Sequence, residues 1–128
     1  MLTYLAAAAF PGGVWASDAD TVVLPSGLET YLQETLWDRP GGGLVYRFRF
    51  VAPAFSAAEA DFDAVSADLE HLCNSFALPR LSNVGPLPSQ IIISLADRES
   101  EFGVIDPDVS QVFEAYSIEE DTCKWEVF

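Results

Sequence analysis

The chain has 128 residues, half of them hydrophobic and 12% aromatic, with 6 basic against 20 acidic side chains and a formal net charge of −14. That length points to one domain, and that apolar content supports a packed core and excludes wholesale disorder. The acidity excludes nucleic acid as the expected partner and disfavours an anionic membrane surface, leaving a basic protein, loosely held cations or plain solubility.

Residues 1–16 carry no charged side chain, and 2–10 form an apolar run too short to span a bilayer. Pro11, Gly12 and Gly13 break that run. Val14, Trp15 and Ala16 then occupy the positions that a signal peptidase reads, and Ser17 and Asp18 begin a polar chain. This layout predicts a secretory signal over 1–16, a single domain over 17–128, and a periplasmic or secreted location. No Lys or Arg precedes the apolar run, so either the α-amino group supplies the positive charge or translation starts upstream. The competing reading is a hydrophobic N-terminal strand or helix. No other segment approaches a transmembrane length.

Residues 21–24 read as a short strand, closed by the turn signal of Pro25, Ser26 and Gly27. A second strand is expected over 30–37, with imperfect alternation. The run from Asp38 to Gly43, rich in glycine around Pro40, is the strongest breaker in the chain. It feeds a strand and lacks the lysine of a P-loop, so it does not read as a nucleotide cradle. Residues 44–51 alternate cleanly. Leu44, Tyr46, Phe48 and Phe50 share one face, and Val45, Arg47, Arg49 and Val51 share the other. Arg47 and Arg49 form a candidate anion or partner contact. The ordinary role of such a pair is a ladder to acids on neighbouring strands, and that reading carries more weight.

Ser56 and Glu59 have capping-box spacing and predict a helix over 56–78. Ala58, Phe62, Val65, Leu69, Leu72, Cys73 and Phe76 fall on its buried arc. Asp61, Asp63, Asp68 and Glu70 make it acidic. His71, the only histidine, points away from that arc and has no partner at metal-ligand spacing, so no metal or other cofactor is expected. Pro79 should end the helix. Residues 78–88 read as a proline-rich connection whose leucines lie against the body. Residues 90–95 read as a central strand buried on both faces, because Ile91, Ile92 and Ile93 are continuous and β-branched. A polar turn or short hairpin over 96–103 and a turn at 106–108 lead to a strand over 109–118. The acidic turn at 119–121 then pairs it with a last strand over 122–128. Alternation there places Cys123, Trp125 and Val127 on one face.

Cys73 lies late in the helix and Cys123 in the last strand, and both face the helix–sheet interface. In an oxidising compartment a Cys73–Cys123 disulfide is expected; the alternative is two reduced thiols buried as small hydrophobes. A CxxC redox motif is absent.

A set of residues runs through the later segments: Phe48-Arg49-Phe50 with Ala52-Pro53, Asp68-Leu69 with Leu72-Cys73, Ala77-Leu78-Pro79-Arg80-Leu81, Ile91-Ile92-Ile93-Ser94-Leu95 before Asp97-Arg98, Phe102-Gly103, Phe113-Glu114-Ala115-Tyr116 and Cys123-Lys124-Trp125-Glu126. In these the chain resembles a family of small exported alphaproteobacterial proteins classed only as a domain of unknown function. The resemblance covers about residues 20–128. It implies a signal peptide and the two cysteines, and carries no catalytic residues.

The expected fold is α+β in two layers: a twisted, mostly antiparallel sheet of five or six strands with one long helix across one face. The expected function is a non-catalytic periplasmic binding or accessory domain that recognises another protein. The alternative is a small acidic inhibitor of a basic enzyme, such as a cell-wall hydrolase or protease. An enzyme fits worst, because nucleophilic catalysis wants a serine or cysteine beside a histidine. Carboxylate-only chemistry depends on which acids the fold brings together.

Overall fold

The computed structural model describes residues 21–39, 41, 43–81 and 86–126. The expected signal segment 1–16 and Val127 lie outside the described residues. Six strands form one sheet in sequence order: β1 (Val22–Val23), β2 (Glu29–Asp38), β3 (Val45–Val51), β4 (Gln90–Ala96), β5 (Gln111–Glu119) and β6 (Thr122–Trp125). Every pairing is antiparallel except β3–β4, which is parallel because the helical segment crosses between those two strands. The α+β expectation holds, with a six-stranded, mostly antiparallel sheet and one helical stretch.

The imperfect alternation of β2 has a structural cause. Its register against β3 shifts between Leu32 and Glu34, a β-bulge with Gln33 as the extra residue. Leu32 therefore stands opposite Phe50, while two residues later Glu34 stands opposite Arg49 on the other face. The β5–β6 hairpin closes through Glu120 and Asp121, both at positive φ (53° and 61°), the backbone of a two-residue turn whose twist matches the strands.

The helix differs from the expected one at both ends. Helix α1 covers Phe62–Leu72, starting six residues later than the capping box at Ser56 suggested. The Ala57 N–H is already spent on the Ser110 hydroxyl at 2.7 Å, and residues 57–59 make turns instead. Asp61 is the cap: its backbone is extended and its carboxylate accepts from the Ala64 N–H at 3.1 Å. The late start leaves Ala58 exposed and puts Phe62 in the first turn, beyond the sheet's cover and 64% exposed. Val65 is half-buried, and the remainder of the expected arc, Leu69, Leu72, Cys73 and Phe76, is buried as the wheel required.

Nor does Pro79 end the helix. The chain widens into a π-turn over Cys73–Ala77, where the Leu78 N–H reaches the Cys73 carbonyl, and then continues as α2 (Leu78–Leu81). A proline within α-helix strikes the carbonyl four residues back and withholds a donor; widening the preceding turn relieves both problems. Arg80 helps by donating to the Phe76 carbonyl at 3.0 Å while its guanidinium covers the Phe76 ring. Leu78 and Leu81 thereby enter the core as helical residues, whereas Leu87 is exposed.

The core lies between this helical stretch and the face of the sheet carrying Phe48, Phe50, Ile91, Ile93, Leu95 and Tyr116. Phe76 meets Phe48 and Phe50 edge-on, with centroids 6.4 and 5.1 Å away. Cys73 and Cys123 are bridged, with Cα atoms 6.2 Å apart, tying the helix to the edge strand β6. Asn74 Oδ1 accepts from the Cys123 N–H at 2.9 Å, which occupies a donor on the open edge of the sheet. Asp68, an acid on α1, is fully buried, and both of its oxygens accept from Ser26, from the N–H at 3.0 Å and the hydroxyl at 2.5 Å. The β1–β2 turn is thus pinned to the helix.

Candidate functional site

The face of the sheet turned away from the helix is covered by residues 97–110, an irregular excursion between β4 and β5. Its neck is closed where the Asp97 N–H reaches the Ser110 carbonyl at 3.0 Å and the Ser110 N–H reaches Asp97 Oδ1 at 3.1 Å. Arg98 also donates to the Asp97 carboxylate, and these bonds hold that carboxyl below its ordinary range. The polar turn or hairpin expected over 96–103 is therefore a longer flap, laid across the outer face.

Arg49 is the centre of that flap's attachment. It lies 6% exposed, forms an ion pair with Glu34 on β2, and donates to the Ser100 carbonyl at 3.0 Å and the Ser100 hydroxyl at 3.2 Å. Gln33, freed by the bulge, donates to the same Ser100 carbonyl at 2.9 Å. Tyr31 donates to Glu99 at 2.9 Å, and burial first, then that carboxylate, pushes its phenol pKa up. Arg47 pairs more loosely with Asp38 at 3.7 Å, and its buried Nε has no hydrogen-bond partner. Phe102 lies against both guanidinium groups, 5.5 Å from that of Arg47 and 5.4 Å from that of Arg49. The two arginines thus share one site: Arg49 is consumed by structure, and Arg47 retains capacity.

Around them opens a cleft of about 260 Å³, lined by Arg47, Arg49, Ser94, Phe102, Val104 and Phe113 among others. Its rim is apolar. Phe102, Val104 and Phe113 are each at least half exposed, and Ile105, next along the flap, is 94% exposed. In a chain of this charge, a cationic floor with an apolar rim is the locally unusual chemistry.

A second cleft, of about 280 Å³, opens on the helix side between α1 and the β5–β6 hairpin. Asp63, Ser66, Ala67 and Glu70 line it from the helix, and Glu114, Tyr116 and Trp125 from the sheet. Phe62 and Trp125 meet at its edge with centroids 6.4 Å apart. The Trp125 indole N–H donates to Glu114. Burial pushes the Glu114 carboxyl up, and burial with the charges of Glu114 and Glu70 pushes the Tyr116 phenol up. Glu114 was legible in principle: it interrupts the inward set Val112, Tyr116 and Ile118 on β5, where alternation calls for an apolar residue.

His71 is half-buried on the helix, with Nδ1 3.5 Å from the Ser75 hydroxyl one turn on. Among the described residues no three His, Cys, Asp or Glu side chains are placed to hold a metal ion, and both cysteines are bridged. Among the same residues no helix is long and apolar enough to cross a membrane.

Residues 6–128 match a protein family described as a family of unknown function, DUF6497. No curated protein and no solved structure matches the chain.

Proposed function

The chain belongs to the DUF6497 family, and from that premise we propose a non-catalytic, periplasmic or secreted domain that recognises another protein. The disulfide supports a location outside the reducing cytoplasm, where such bonds form and persist. With both thiols in that bridge, the chain has no cysteine free for nucleophilic chemistry. The observation that carries the reading is the outer-face cleft. Phe102, Val104 and Phe113 line the cleft with Arg47 and stand exposed, and Ile105, next along the flap, is exposed as well. Clustered apolar groups rimming an arginine have the chemistry of an interface centre rather than of ordinary surface.

The alternative, a small acidic inhibitor of a basic enzyme such as a cell-wall hydrolase or protease, draws on the net charge of −14. Salt separates the two. A complex made by long-range charge weakens steeply with ionic strength, whereas one centred on the apolar rim does not.

The test is capture from periplasmic extract by the immobilised protein, with Ile105→Asp and Phe113→Asp variants beside it and Val23→Asp as a surface control. A protein retained by the wild type and by the control, and lost with both rim variants, supports the proposal. Equal capture by all four, or no protein captured while a small molecule stays bound through purification, overturns it.

A further inference from the structure

We propose that the outer-face cleft receives the C-terminal carboxylate of a polypeptide whose last residue is apolar, with the carboxylate on the Arg47 guanidinium and the side chain against Val104 and Phe113. The inference rests on the reading of this face as a protein-recognition surface and names the group recognised there.

The first observation is an unpaired donor. Among the described residues, Arg47 Nε is the one buried side-chain nitrogen or oxygen with no hydrogen-bond partner. A buried N–H is ordinarily paired, and leaving one unpaired is costly, more so on a charged group. The second is the different engagement of the two arginines. Arg49 spends its Nη groups on Glu34 and Ser100. Arg47 holds Nη2 3.7 Å from Asp38, too far for a hydrogen bond, and that carboxylate is about half exposed. The third is position. Arg47 lines the cleft together with Val104, Phe113 and Ile92, its neighbour in register on β4. Ser94, buried on the same strand, adds a hydroxyl to the lining.

These features select the ligand's chemistry. A carboxylate sets two oxygens against Nε–H and one Nη–H, a paired geometry that a hydroxyl does not offer. An ammonium ion would meet Arg47 as a like charge. A bare inorganic anion would leave the apolar walls unused. The last residue of a polypeptide carries carboxylate and side chain on one carbon, whereas an internal Asp or Glu spends its side chain on the carboxylate. Glu101 also lines the cleft, but it is exposed, so water and salt screen its repulsion. Nε lies out of reach of water, and the carboxylate meets it as the Phe102 ring moves aside. That ring is half exposed, belongs to the flap and lies 5.5 Å from the Arg47 guanidinium.

The experiment follows the Arg47 Nε–H by NMR while the full chain is titrated with N-acetyl-alanyl-alanyl-phenylalanine. Two peptides are titrated in parallel: its C-terminal carboxamide, and N-acetyl-alanyl-glutamyl-phenylalanine amide, whose carboxylate is on an internal side chain. The expected result is a saturable shift with the free acid, at a dissociation constant of about 1 mM, and at least roughly tenfold weaker binding of both amides. Arg47→Lys, read on the Val104 amide, keeps the charge but loses the fork, and should weaken the free acid roughly tenfold. Asp38→Asn removes the loose competitor and should tighten it roughly threefold; Asp38 is exposed at the end of β2, so this variant tests the same contact without loading the fold. Glu120→Gln, on the hairpin turn, should change nothing. Equal binding of the carboxamide, equal or tighter binding of the internal-glutamate peptide, or an affinity untouched by both Arg47→Lys and Asp38→Asn would each overturn the proposal. Absence of binding by the free acid overturns it as well, and the protein-recognition reading then stands alone if capture still depends on Ile105 and Phe113.

Discussion

The two faces of one sheet are closed by different physics. The helix side is sealed by apolar packing: Phe48, Phe50, Ile91, Ile93 and Leu95 meet Leu69, Leu72 and Phe76, and a disulfide holds the layers together. The outer side is closed by an irregular flap whose hold is polar, through Arg49, Gln33 and Tyr31 to residues 99 and 100. Packing is non-directional and buries whatever is apolar. A flap held by a few directed bonds is under no such demand, so it leaves Phe102, Val104 and Ile105 in water. The outer face thereby carries an exposed apolar rim beside its two arginines.

Breaking the covalent tie should have the largest effect. The bridge closes a loop of 50 residues, and by the chain-entropy argument its loss, through Cys73→Ser with Cys123→Ser, costs about 4 kcal/mol. That loop contains the flap, so thermal or denaturant unfolding should show both faces destabilised together.

Arg49→Ala should separate the faces. It leaves Glu34 without its partner and the Ser100 carbonyl with Gln33 alone, at a cost of roughly 2 kcal/mol. Amide exchange should quicken over residues 98–105, while amides of α1 and β6 keep their protection. Uniform acceleration would show the two seals to be one cooperative unit.

The smallest effect is a matter of pH, and its sign differs between the faces. The Asp97 carboxyl is lowered by its bonds to Arg98 and to the Ser110 N–H. Its contribution is therefore fully present above the ordinary aspartate value and is lost as pH falls through its own lower one. Protection of the Ser110 amide should decline below about pH 4, and Asp97→Asn should flatten that dependence. Glu114, on the helix face, is raised by burial. Its folded form is favoured in acid and loses that advantage as pH rises through its raised value. Glu114→Gln should thus stabilise the protein slightly at neutral pH and not in acid, which denaturation curves at the two pH values measure.

Much of the fold was legible because local pattern and burial agree. The alternation of 44–51 assigned Phe48 and Phe50 inward and Arg47 and Arg49 outward, as observed. The triple isoleucine marked β4, and Glu120 and Asp121 lie in the expected hairpin turn. The helix ends depart from the local signals at Ser56 and Pro79 because those signals compete with tertiary partners. Ser110 claims the Ala57 N–H, and a widened turn carries the chain through the proline. Of the sites, Arg47 and Arg49 were named, but not the flap that covers them. Glu114 stands out as a site residue only once the strand's buried face is assigned.

By itself the sequence determined which residues form strands, which face of each is apolar, and that two cysteines lie on segments able to meet. Those are properties of periods 2 and 3.6, and a period is local. Only the tertiary structure decided that a bulge turns Glu34 to Arg49, that residues 97–110 fold over the outer face, and that Glu114, Glu70 and Tyr116 line one cleft. Such meetings join residues tens of positions apart, and their geometry follows from how the layers pack, which no local pattern encodes.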